Sequence, residues 1–210
     1  DIDAGHYYTL SGVVPNAGDI KFVPQRDIEY KQEITDEDRT ILGKDVPDFT
    51  YGVNLSLQYK GFEFSMFGQG ISGTKVAFDV YGVHPFYHGQ DSPRKYHLKR
   101  WTEENPNPHA AYPRIYSASS VHTTYNRNFS DYHLFDSDYF RFKTLSLGYT
   151  VPSATVKNWG LQSLKVYVTG ENLFTVRADK KMEDFDPETA GGVIYTLGTK
   201  SVAFGVNISF

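Results

Sequence analysis

From Phe49 to Tyr59 the chain alternates without a break. Phe49, Tyr51, Val53, Leu55, Leu57 and Tyr59 fall on one parity, and Thr50, Gly52, Asn54, Ser56 and Gln58 on the other. A repeat of two is the signature of an extended strand whose side chains point to opposite faces. Lys60-Gly61 reads as a tight turn into a second strand, Phe62 to about Gly70, where Phe62, Phe64 and Met66 oppose Glu63 and Ser65 and Phe67 breaks the pattern. A third strand is predicted from about Tyr139 to Val151, with Leu145, Leu147, Tyr149 and Val151 opposite Thr144, Ser146, Gly148 and Thr150. Upstream its parity reverses, since Phe140 and Phe142 are apolar while Arg141 and Lys143 are charged. A β-bulge near Lys143 accounts for the flip, as does a strand running on past a membrane. Leu164 to about Phe174 and Ser201 to Phe210 complete the set; in the last, Val202, Phe204, Val206, Ile208 and Phe210 share a face.

The polar parity decides what kind of sheet this is. A strand half-buried in a soluble protein usually turns Lys and Glu to water, whereas here the second face of Phe49–Tyr59 carries small neutral groups. The first face is aromatic at both ends and aliphatic between, as expected of a strand of about 9–11 residues crossing a bilayer with aromatic girdles at its interfaces. Connections point the same way. Lys60-Gly61 is short and Pro152–Leu161 moderate, whereas 71–138 and 175–200 are long. Outer-membrane barrels pair short periplasmic turns with long extracellular loops, and long unstructured loops are rare inside compact soluble domains. With the C-terminus on the periplasmic side, each short link falls in the periplasm and each long one outside. Residues 1–48 then form an extracellular loop region, and 49–210 the barrel strands with their loops.

Composition adds limits. The 210 residues include 16 Tyr and 15 Phe but no Cys, which removes disulfides and thiolate metal sites. A net charge of -4 with interspersed signs argues against a nucleic-acid partner. No apolar run approaches the roughly 20 residues of a membrane-spanning helix. The start at Asp1-Ile2-Asp3 carries neither an initiator Met nor a signal peptide, so a fragment is expected.

Several strings resemble the SusC/RagA family of TonB-linked outer-membrane proteins. They include Gly18-Asp19-Ile20-Lys21, Asp38-Arg39-Thr40-Ile41-Leu42-Gly43, Pro47-Asp48-Phe49-Thr50-Tyr51-Gly52, Tyr59-Lys60-Gly61-Phe62 and Phe67-Gly68-Gln69-Gly70. Arg100-Trp101-Thr102, Glu104-Asn105-Pro106-Asn107, Tyr112-Pro113-Arg114, Leu145 to Pro152, Gly170-Glu171-Asn172-Leu173-Phe174 and Phe204 to Phe210 continue the series in order over nearly the whole chain. The resemblance implies an all-β fold: the C-terminal five strands of a large antiparallel transmembrane β-barrel of about 22 strands with long extracellular loops. It also implies TonB-dependent import of a nutrient, an oligosaccharide or a peptide, beneath a SusD-like surface lipoprotein. TonB would be met by the part of the protein before this chain. Phe204, Val206, Ile208 and Phe210 resemble the terminal signal read by the barrel-assembly machinery. Phe49, Tyr51, Val53, Leu55, Leu57, Tyr59, Leu145, Leu147, Tyr149 and Val202 are expected to face membrane lipid. Many relatives carry an acidic, calcium-like turn between the first two strings. Here that interval, Phe22 to Glu33, lacks the Gly such a turn needs, so no metal site is carried over.

Candidate chemistry is sparse. His84, His88, His97, His109, His122 and His133 crowd the 71–138 stretch, but none forms a helical His pair and solvated loop histidines are the simpler reading. No Gly-x-Ser-x-Gly nucleophile string occurs, and Asp36 and Asp38 lie in a solvated charge run, so neither an enzyme nor a cofactor is expected. Trp101, Tyr112, Tyr116 and Tyr125 either stack on a sugar or the lid protein, or pack their own loop. Two rival readings stand beside the transporter. A small complete porin or adhesin barrel would need an even strand number and a recognisable beginning. A soluble β-sandwich carbohydrate-binding module would need charged outer faces.

Overall fold

In a computed structural model the structure describes residues 2–77, 84–86, 92–179, 186–189 and 198–210. Its strands, in chain order, are β1 (Thr9–Leu10), β2 (Glu33–Ile34), β3 (Phe49–Tyr59), β4 (Phe62–Ser72), β5 (Lys75–Ala77), β6 (Leu134–Asp136), β7 (Tyr139–Thr150), β8 (Ser163–Arg177) and β9 (Ser201–Ser209). Two short helices, α1 (Val121–Asn126) and α2 (Ser153–Lys157), lie between them. The chain divides into two compact units: a wall unit built on 44–76, 135–191 and 195–210, and a loop unit built on 1–43 and 77–134, with 192–194.

The wall unit is one antiparallel sheet of five strands in the order β3-β4-β7-β8-β9. β3 and β4 pair along their whole length, from Phe49 opposite Ser72 to Tyr59 opposite Phe62. Lys60 (φ 47°) and Gly61 (φ 87°) make the turn between them, both left-handed as a two-residue hairpin requires. Register carries the apolar parity across the sheet. Leu55 faces Met66, which faces Leu145, then Gly170, then Val202. Leu57, Phe64, Leu147, Val168 and Phe204 form the next row. Aromatic rings bound the aliphatic middle. Tyr51 stacks with Phe140 at 6.0 Å near one end, and Phe62 packs on Tyr149 at 4.6 Å near the other.

The parity flip in the third strand is a bulge. On β7, Phe142 and Thr144 face Gly68 and Phe67, successive residues of β4, which leaves Lys143 as the extra residue. β8 answers with a bulge of its own: Phe142 pairs with Phe174 and Thr144 with Glu171, and Asn172 takes φ 53°. Each extra residue keeps Phe140 and Phe142 on the same face as Leu145 and Leu147, which plain alternation forbids. Phe67 stands on the polar face, opposite Asn54 and Thr144. β8 runs to Arg177 and β4 to Ser72, each a little beyond the alternating core read from sequence.

The apolar face has no protein cover among the described residues. Leu57 is 55% exposed, Val202 55% and Phe204 84%, although each lies within a paired strand. A β-sandwich packs such a face against a second sheet, and none of the described elements packs on this one. The outer edges of β3 and β9 carry no paired strand among the described residues.

The loop unit has a small core of its own. β1 and β2 pair in parallel, and Tyr125 of α1 is 2% exposed against Phe22, edge to face at 5.1 Å. His84, His97 and His133 are buried, so these three histidines are packing residues rather than solvated ones, and His88 lies outside the described residues.

Candidate functional site: the polar face of the wall

The second face of the sheet gathers Asn54, Ser56 and Gln58 of β3, Glu63, Ser65 and Gln69 of β4, Arg141, Thr144 and Ser146 of β7, Lys165, Thr169 and Glu171 of β8, and Asn207 of β9. Away from the bulges alternation puts them there, because their neighbours along the strand belong to the apolar rows. Near the Lys60-Gly61 end lies a hollow of about 350 Å³ lined by Gln58, Glu63, Ser146, Lys165, Tyr167 and Asn207. Lys165 donates to Glu63, and Thr150 Oγ1 donates to the same carboxylate at 3.4 Å. Ser146 and Thr169 hydroxyls meet at 3.0 Å. A Cβ on Gly205 would fall on the Tyr167 ring, so glycine there lets the ring lie flat across the strand. The surface is therefore rich in hydroxyl and amide groups, with its charges largely matched in pairs.

At the opposite end the face is built differently. Arg141 is 4% exposed, with Asp186 bound to its guanidinium at 2.6 Å and Glu188 at 3.0 Å. Burial opposes the ionised form of Asp186. The Arg141 hydrogen bonds and the Glu188 N–H outweigh it and hold that carboxyl below its ordinary range. A second hollow of about 320 Å³ beside it is lined by Gln69, Thr74, Ser137, Tyr139 and Glu188.

The four loop aromatics singled out in the sequence separate into two kinds. Tyr112 is 8% exposed, with its hydroxyl 3.1 Å from His84 Nδ1, and Tyr125 is 2% exposed; both pack their own unit. Trp101 and Tyr116 stay partly open and hold the Arg114 guanidinium between them, 5.7 Å and 5.3 Å from their rings. Arg114 also pairs with Glu103 at 2.8 Å. This cation between two rings was invisible in the sequence, where only Tyr112-Pro113-Arg114 stood out.

Two polar clusters in the loop unit were also missed. Asp19 accepts from His122 Nδ1 (2.8 Å), Asn126 Nδ2 (2.8 Å) and the Asn16 N–H (2.7 Å). A His–Asp pair suggests half of a catalytic triad, but Nε2 of His122 is occupied by the Asn16 side chain at 2.9 Å, where a nucleophile would have to stand. Arg26 is the centre of the other cluster. Its guanidinium donates to Asp38 at 2.7 Å and 3.1 Å, to Glu37 at 2.8 Å and to Thr35 Oγ1 at 2.8 Å. The acidic turn thus receives its cation from the chain. Among the described residues no three His, Asp or Glu side chains stand together as metal ligands.

No protein-family model matches the chain. It is 29% identical over 167 residues to TonB-dependent receptor P3 of Formosa agariphila, covering 80% of this chain and 15% of that protein. With TonB-dependent receptor P26 of the same organism it shares 28% over 187 residues, 84% of this chain and 18% of the other. The chain therefore spans under a fifth of these relatives. Among solved structures it superposes on the RagAB peptide importer in its open-open state with a TM-score of 0.63 at 25% identity, over 90% of this chain and 20% of that one. The closed-closed state of the same importer gives 0.62 at 23% identity, over 90% and 21%, a likeness of fold. In register, faces and sequence the chain is similar to TonB-dependent receptors of the SusC/RagA kind, and it matches a stretch of their β-barrel wall with its loops.

Proposed function

We propose that this chain forms the last five wall strands of an outer-membrane importer in a Gram-negative bacterium, powered through TonB and capped by a SusD-like lipoprotein. The observation that carries the reading is a single sheet with one apolar face open to its surroundings and one polar face opposite it. In this reading Phe49, Tyr51, Val53, Leu55, Leu57, Tyr59, Leu145, Leu147, Tyr149 and Val202 face lipid, and the polar face lines the solute path. Eleven residues of β3 at about 3.3 Å each reach about 36 Å, which at a tilt near 45° spans about 25 Å of bilayer. The long connections lie outside the cell and the Lys60-Gly61 turn in the periplasm. Phe204, Val206, Ile208 and Phe210 serve as the assembly signal.

The solute is an oligosaccharide or a peptide. Paired charges and exposed hydroxyl and amide groups suit a ligand that is held by hydrogen bonds, and the likeness to a peptide importer supports the second of the two. Trp101 and Tyr116, with Arg114 between them, offer the stacking surface in the loop unit, for the solute or for the lid.

The test uses the full-length protein in its own host. Deleting the gene should abolish growth on one class of oligosaccharide or peptide as the limiting nutrient, and a protonophore should stop uptake in the parent strain. The protein should fractionate with the outer membrane and require detergent. Recovery of the full-length protein from the soluble fraction, or uptake indifferent to the protonophore, would sink the proposal.

A further inference from the structure

The polar face is not bare where β7 passes its bulge. Residues 186–189, far along the chain from β7, lie on it and bring two carboxylates with them. Thr189 N–H donates to the Asp186 carbonyl at 3.1 Å, which closes a four-residue turn. Asp at its first position and Pro187 at its second are what such a turn favours. The Glu188 N–H returns to Asp186 Oδ1 at 3.0 Å, so both carboxylates are displayed together.

The wall meets this turn with a matched set of donors. Arg141 binds Asp186 through two guanidinium nitrogens, at 2.6 Å and 3.2 Å, the bidentate geometry that an ammonium cannot copy. Its Nε is fixed by Thr175 Oγ1 at 3.0 Å, and its plane lies 5.9 Å from the Tyr139 ring. Glu188 accepts from Lys143 Nζ at 2.6 Å, from Arg141 at 3.0 Å and from the Tyr139 hydroxyl at 3.3 Å. The bulge is what lets Lys143 and Thr144 follow one another on the same side. A Cβ on Gly198 would collide with the Asp186 carboxylate, so the approach to β9 is shaped to the bound turn as well.

We infer that Arg141, Lys143 and Tyr139 form a carboxylate-binding site on the polar face, and that its ligand is the chain's own Asp186-Pro187-Glu188-Thr189 turn. This turn, between β8 and β9 in the chain, is thereby strapped to the wall on the side of the solute. That this narrows the solute path rests on the reading of the polar face proposed above; the fastening itself does not.

The fastening can be read by cysteine accessibility in the full-length protein held in outer-membrane vesicles. These 210 residues have no cysteine, so mass spectrometry of the peptides from this stretch reads the introduced thiol alone. Pro187 is buried and Thr199 exposed. P187C should react with a membrane-impermeant maleimide at least tenfold more slowly than T199C. Adding R141Q, or G198A, which changes no charge, should bring the P187C rate to within about threefold of T199C. Equal rates for P187C and T199C in the parent background would overturn the inference. So would protection that survives both second substitutions. If R141Q gives no heat-modifiable band on a gel, G198A and E188Q decide in its place. Absence of energy-dependent uptake would fail the transporter reading and leave these rates untouched, so the two proposals fall separately.

Discussion

Arg26 commits five hydrogen bonds to the turn at 35–38, one from its backbone and four from its side chain. Asp38 is the pivot: the Arg26 guanidinium, then the Thr35 N–H, hold its carboxyl far below the usual carboxylate range. A carboxyl whose folded pKa is lowered stabilises the fold above its unfolded value, near 3.9, and that contribution fades as pH falls below it. Limited proteolysis of the 20–40 segment in the intact protein should therefore stay flat from pH 7 to about pH 4 and accelerate only below. R26A should open the same segment at neutral pH by roughly an order of magnitude, and R26K should not rescue it, since a point charge cannot make the fork. Tyrosines set the alkaline limit. Burial, then the Asp19 carboxylate, push Tyr116 up to about 12, and burial raises Tyr112 and Tyr125 further. A raised phenol keeps its stabilising contribution below its unfolded value near 10 and loses it as pH climbs through the folded one. Tyrosinate absorbance should show a late group of phenols, titrating together with loss of protease resistance in the loop unit.

At the scale of the strand, the bulge at Lys143 is a register device before it is anything else. Deleting Lys143 would force Phe140 and Phe142 onto the polar face or Leu145 and Leu147 onto it, whereas K143A leaves every pairing intact. The deletion should abolish heat-modifiable barrel in outer-membrane fractions, and the alanine variant should keep most of it. Face matters in the same way on β3. L55R places a cation on the apolar rows near mid-strand, at a cost of about 2–4 kcal/mol if that row lies at the bilayer midplane. N54R and S56R, on the other parity, should assemble at near-parental yield; equal losses from all three would refute the assignment of faces. This level was the most readable from sequence, because alternation is local. The strand β3 was bounded to the residue, and the parity break at Lys143 pointed to the bulge. The clamps were not readable. Arg141 and Asp186 are 45 positions apart and Arg26 and Asp38 are 12, and neither pair leaves a periodic trace.

For the whole molecule, the long connections looked structureless because their apolar residues follow no period. In the structure the described residues of 2–43 and 92–134 pack around Tyr125, Tyr112 and His97 through contacts between distant segments, which no window of sequence displays. The wall is the converse case, legible in every strand yet incomplete as a sheet. The outer edges of β3 and β9 have rows of backbone N–H and C=O groups without a partner strand among the described residues, and each such group left bare in hydrocarbon costs several kcal/mol. Expressed alone, residues 1–210 should partition into aggregates and give no heat-modifiable monomer in detergent. A folded monomer by gel and by hydrogen exchange would contradict that. The Lys60-Gly61 turn has a further consequence, for the order of events. β3 and β4 are joined by two residues, so they can zip together on the microsecond scale of an isolated hairpin. β4 and β7 must first bring Ile71 and Tyr139 together across a long loop, whose closure entropy is lost before any pairing compensates it. The hairpin is therefore the natural seed on which the later strands are laid.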